Sequence, residues 1–163
     1  MQLVIITAAA LLICVPATAQ DKRPPIHRAD QISMTIDVLG NARAAVTKYP
    51  LDRRLKLYEA VSIRLTQCGL LYALLNKEAP KEKKDAQTSA SFDGISHVYT
   101  LAGSITYPES GEPYKKMLEG TMASIIKMKE TNDRKTPVVI LQSCKELAGT
   151  EEEATHAVAH LAE

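Results

Sequence analysis

Cys68-Gly69-Leu70-Leu71-Tyr72-Ala73-Leu74-Leu75 carries no charged side chain and closes a longer segment that begins at Pro50. Along that segment Leu51, Leu55, Tyr58, Ser62, Leu65, Cys68, Tyr72 and Leu75 recur at steps of three and four residues, the period of a helix rather than of a strand. Pro50 suits a helix start, and Asp52 favours the positive end of the helix dipole. In the last two turns apolar residues occupy every side, and a helix that is apolar all round must be buried among others. The stretch therefore predicts an all-α fold with this segment at the centre of its core.

Working outward, the same period extends in both directions. A preceding helix starts near Asp30, an acceptable N-cap, with Ile32, Ile36, Leu39 and Val46 along one face and Met34, Val38 and Ala42 beside it. Tyr49-Pro50 ends it, because the residue before proline is pushed out of the helical region. Asn76 to Asp85, charged and holding Pro80, reads as a connection into a third helix that starts at about Lys81 or Lys83 and ends at Ile105. Its core candidates are Phe92, Ile95, Val98, Tyr99, Ala102 and Ile105, and Gly94 and Gly103 permit close helix approach. Tyr107 to Gly111 is a turn by composition. A fourth helix from about Pro113 places Tyr114, Met117, Leu118, Thr121, Ile125 and Met128 inward and frays near Thr131-Asn132-Asp133. Thr136-Pro137 offers an N-cap and a first-position proline for a short helix bearing Leu141, Cys144 and Leu147, ended by Gly149. Thr150-x-x-Glu153 is a capping box that opens a terminal helix through Leu161. The expectation is a bundle of four main helices plus one or two short C-terminal helices, without internal repeats.

The N-terminus points to an address. Leu3 to Val15 is an almost unbroken apolar run, followed by Pro16 and the small-x-small sequence Ala17-Thr18-Ala19. At about 13 residues the run is too short for a membrane span and fits a secretory signal peptide over residues 1–19. Its n-region departs from the usual pattern in lacking Lys and Arg. Ile13 before Cys14 argues against lipid attachment at that cysteine. The mature chain then starts at Gln20 as a single helical domain over 20–163, periplasmic or secreted and without a stable membrane anchor. Cys68 and Cys144 remain, and two cysteines in an oxidising compartment pair in only one way. No C-x-x-C redox motif is present.

Charge excludes some classes of partner. The formal net charge is +1, which argues against a nucleic-acid binder or a protein held at membranes by bulk charge. The first part is slightly basic, and Arg53-Arg54-x-Lys56 with Arg64 could face an anionic partner, although Asp52 and Glu59 balance it. Enzyme templates are missing: no G-x-S-x-G elbow, phosphate loop, dinucleotide glycine pattern or H-E-x-x-H. Ser96-His97 are adjacent, and neighbours on a helix do not face each other. The single Phe and absent Trp are poor provision for a large flat cofactor, and without C-x-x-C-H no haem is attached covalently; no cofactor is expected.

Two readings of function follow. In leader, size and cysteine pair the chain is similar to periplasmic acid-stress chaperones and to toxin-neutralising immunity proteins of Gram-negative bacteria. It carries no diagnostic motif of either, so no residue role is transferred. The leading expectation is a protein–protein interaction module of the cell envelope, acting as inhibitor, immunity protein or chaperone-like factor rather than as an enzyme. The alternative is a metal-handling protein. His156 and His160 stand four apart on the terminal helix, Glu152 lies one step back on the same stripe, and Glu163 follows at the end of the chain. Imidazoles and a carboxylate at helical spacing suit Zn²⁺, Ni²⁺ or Cu²⁺, with affinity falling as the imidazoles protonate.

Overall fold

The computed structural model describes residues 28–79 and 86–163. The expected leader, the expected mature start at Gln20 and the expected third-helix start at Lys81 or Lys83 lie outside these residues. Among the described residues six helices follow one another in the order α1 (Arg28–Thr47), α2 (Leu51–Glu78), α3 (Ala86–Thr106), α4 (Glu112–Glu130), α5 (Lys135–Leu147) and α6 (Glu151–Leu161). The chain is thus an all-helical bundle, and α2 is its axis, with α3, α4, α5, α1 and α6 all packed on it.

The α2–α3 pair is the tightest contact, and its chemistry repeats. Ser62-x-x-x-Thr66-x-x-Gly69 on α2 and Ser96-x-x-x-Thr100-x-x-Gly103 on α3 are the same eight-residue pattern. Set antiparallel, they serve each other reciprocally. Ser62 Oγ donates to the Gly103 carbonyl at 2.6 Å, and Ser96 Oγ donates to the Gly69 carbonyl at 2.8 Å. A Cβ on Gly69 would lie 2.8 Å from the Ser96 carbonyl oxygen, and one on Gly103 would lie 3.1 Å from that of Ser62. Gly69 therefore marks a place where two backbones approach too closely for a side chain, and Gly103 one where the approach is nearly as close. Along the chain alone no internal repeat is expected. This one is short, polar and hidden among apolar residues, and only the antiparallel pairing makes it visible.

Above this seam the core gathers on the disulfide. Cys68 of α2 and Cys144 of α5 are bonded, with Cα atoms 5.8 Å apart. Tyr99 of α3 is buried beside them and donates its phenol to the Cys144 carbonyl at 2.8 Å. Its ring stacks on Tyr72 at 5.9 Å between centroids, and Tyr72 also meets Phe92 at 6.0 Å. Burial pushes the Tyr99 hydroxyl well above the ordinary phenol range, with the Tyr72 hydroxyl adding to the effect, so it stays a donor. Three helices are joined at one point by a covalent bond and a hydrogen bond.

Several faces differ from the periodic reading. On α1 the buried residues are Thr35, Val38, Ala42, Ala45 and Val46, while Ile32 and Ile36 are 54% and 62% exposed. On α2 the stripe runs through Leu57, Val61, Leu65, Cys68 and Leu71, leaving Leu51 and Leu55 exposed. Ile105 of α3 is exposed too. On α1 the expected Val38, Ala42 and Val46 are buried; the helix packs against α3 and α6 on this side of smaller residues, and only the larger Ile32 and Ile36 turn outward.

The helix ends are built by side chains. Arg54 reaches back to donate to the Thr47 and Tyr49 carbonyls, both at 2.7 Å, and closes the C-terminus of α1. Rather than fraying, α4 ends in a Schellman turn: Asn132 takes a left-handed φ of 53°, Asn132 N donates to the Lys129 carbonyl, and Asp133 N donates to that of Met128. The Asp133 carboxylate then accepts from the amides of Lys135 and Thr136 at 3.0 and 3.1 Å and opens α5. Helix α5 therefore begins two residues before the expected proline start, and Pro137 sits within its first turn, where its missing N–H costs no helical bond. The Thr150–Glu153 capping box of α6 forms as the sequence expects.

Candidate functional site

Besides the cysteine pair, the sequence singled out His156 and His160 of α6, and the described residues bring these two together. Ala154, Ala157 and Val158 bury one face of α6, while His156 and His160 stand on the exposed face. The helix is held in place at its start: Lys48 Nζ, in the turn after α1, meets Glu151 Oε1 at 2.9 Å and Thr155 Oγ1 at 2.8 Å. Asn41 Nδ2 donates to the Gly149 carbonyl at 2.8 Å, fixing the turn between α5 and α6. A Cβ on Gly149 would meet the Glu153 carboxylate, the movable end of a side chain, which would have to shift from its place in the capping box to admit it.

The two imidazoles face each other through Nε2, at 3.2 Å, with the rings perpendicular and their centroids 4.5 Å apart. Their outer nitrogens face carboxylates. His156 Nδ1 lies 3.2 Å from Glu146 Oε2, and His160 Nδ1 lies 3.9 Å from Glu163 Oε2. Glu146 is the better fixed of the two, since its side chain is 14% exposed and its other oxygen accepts from Gln142 Nε2 at 2.8 Å. The Gln142 amide foremost, and His156 after it, hold the Glu146 carboxyl below the usual carboxylate range against the opposing effect of burial. With a carboxylate as acceptor, the network places the His156 proton on Nδ1 and leaves its Nε2 lone pair toward His160.

Glu152 stands exposed in the first turn of α6, and among the described residues no group of three or more His, Cys, Asp or Glu side chains is drawn together to hold a metal. Glu146 is the residue that sequence reasoning missed. It lies ten positions before His156, on another helix, and only the reversal at Gly149 returns it to the pair. Ser96 and His97 part company in the way adjacent helical residues do: Ser96 is engaged with Gly69, and His97 is exposed.

A second feature is distributed over the surface. Ten large apolar side chains are exposed among the described residues, and eight of them form i,i+4 pairs: Ile32/Ile36, Leu51/Leu55, Leu101/Ile105 and Met122/Ile126. Val138 and Val139 add a fifth patch on α5. A shallow groove of about 580 Å³ between α2 and α4 includes Glu59, Ile63, Tyr107, Met117 and Thr121 in its lining. No helix among the described residues is long and apolar enough to cross a membrane. No family model, curated protein or solved structure matches the chain.

Proposed function

We infer that this chain is an exported helical protein that works by binding another protein of the cell envelope, as an inhibitor, immunity protein or chaperone-like factor. The observation that carries the reading is the pairing of exposed apolar residues. A single exposed Leu or Ile is ordinary. Two at i,i+4 make a ridge on a helix, the unit by which helices engage apolar grooves. Four helices of this small bundle carry such a ridge. The leader read from the sequence supports export, and a disulfide-tied core supports a surface that stays rigid outside the cytoplasm.

The test has two parts. The intact mass of the protein recovered from the producing cells is expected to start at Gln20, and a mass that retains Met1 overturns the export reading. A photo-crosslinker placed at Leu55 or Ile105 is expected to trap a single discrete partner. Leu51→Glu, with the crosslinker at Leu55, and Leu101→Glu, with it at Ile105, are expected to abolish the adduct without changing the helical circular dichroism. Crosslinking only to other copies of the chain, or adducts unaffected by the charged substitutions, counts against a partner-binding role.

A further inference from the structure

We propose that His156 and His160 bind one borderline divalent transition-metal ion through their Nε2 atoms, with Glu146 and Glu163 as outer carboxylates that orient the rings. This inference stands apart from the partner-binding reading and rests on a different face of the molecule.

The distances suit it. With metal–imidazole bonds of about 2.0–2.1 Å, two nitrogens 3.2 Å apart subtend an angle of about 100° at a shared ion, between octahedral and tetrahedral values. The outer contacts suit it as well. A metal-ligating histidine characteristically donates its other ring N–H to a carboxylate, which sets the tautomer and raises the basicity of the ligating nitrogen. Here both outer nitrogens lie beside carboxylates, at 3.2 and 3.9 Å, and the two inner nitrogens lie 3.2 Å from each other, close enough to share one ion.

Protons balance without a co-reactant. In the neutral pair His160 donates its Nε2–H to the His156 Nε2 lone pair. On metal binding the His160 proton moves to Nδ1, on the Glu163 side, and the ion takes both Nε2 lone pairs. The rings are 63% and 59% exposed, so an ion can enter from solvent, and water completes its coordination. Two neutral imidazoles select Cu²⁺, Ni²⁺ and Zn²⁺ over Mg²⁺ or Ca²⁺, with Cu²⁺ tightest by the usual order of stability. A carboxylate on the neighbouring helix gives the pair a fixed ring orientation that an isolated helix lacks.

The experiment is calorimetric titration of the disulfide-intact protein with Cu²⁺, Ni²⁺, Zn²⁺ and Mg²⁺, with circular dichroism of every variant. One Cu²⁺ per chain is expected at micromolar concentration, with two nitrogen donors in its paramagnetic resonance spectrum and no response to Mg²⁺. His156→Ala/His160→Ala is expected to abolish that binding, and either single substitution to weaken it by at least about tenfold. Glu146→Gln is expected to weaken it about 10- to 100-fold, as loss of an outer partner does. Glu152→Gln is expected to leave it unchanged. No binding of the three transition ions at micromolar concentration overturns the proposal, and so does Cu²⁺ binding undiminished in the double variant. A loss in Glu152→Gln equal to that in Glu146→Gln overturns the assignment of Glu146.

Discussion

Glycine has opposite meanings at two kinds of position in this bundle, and the difference is measurable. In an open helix Ala is more favourable than Gly by about 1 kcal/mol, because glycine loses more backbone freedom on folding. Gly40 has nothing within 4 Å of where a Cβ would stand, so Gly40→Ala is expected to stabilise the protein by about 0.5–1 kcal/mol in urea unfolding. At Gly69 the same substitution meets backbone atoms of Ser96 and Thr100 at 2.8 and 2.9 Å. Neither helix backbone can yield locally, so Gly69→Ala is expected to destabilise by about 1–3 kcal/mol, the usual cost of overpacking. Tyr99 gives a smaller effect. Its phenol shares the Cys144 carbonyl with the Ala148 amide, so Tyr99→Phe leaves that carbonyl paired and is expected to cost only about 1 kcal/mol.

At the scale of elements, Asp133 joins two helices. Its amide closes α4 and its carboxylate opens α5. Hydrogen bonds from Thr136, with help from the Lys135 amide, hold that carboxyl below its ordinary range. A carboxyl lowered by folding contributes stability above its unfolded pKa of about 4, and the contribution is lost as pH falls through the folded value. Asp133→Asn keeps an acceptor for the helix start but removes the titration. The fall in melting temperature between pH 7 and pH 3 is expected to be smaller in Asp133→Asn than in the unaltered protein. An unchanged difference would mean that the cap does not govern acid stability. The sequence signalled a break here through Thr131-Asn132-Asp133 but not its form, since the Schellman turn depends on the left-handed Asn132, which local composition only permits.

At the scale of the whole molecule, the Cys68–Cys144 bond ties the central helix to α5 across a separation of 76 residues. A loop of that length is worth roughly 4 kcal/mol in the chain-entropy account. Unfolded, unreduced protein is expected to show no free thiol at Cys68 or Cys144, and Cys68→Ala/Cys144→Ala to lose stability of that order in denaturant. Two titratable thiols would instead leave the core to hold α5 by packing alone. Much of this architecture could be read directly from the chain: the helices, the buried centre around Cys68 to Leu75, the capping box at Thr150 and the pairing of Cys68 with Cys144 were expected from period, proline placement and the position of Cys14 in the expected leader. Those signals act over one or a few turns, where backbone geometry relates neighbours almost uniquely. What tertiary structure decided lies between elements. It chose the small-residue face of α1 over the Ile32/Ile36 face, paired two copies of a Ser-Thr-Gly pattern, and brought Glu146 beside His156 while Glu152 stayed in the first turn of α6. Each of these depends on how closely and in what register two helices meet, a quantity that no period within one helix contains.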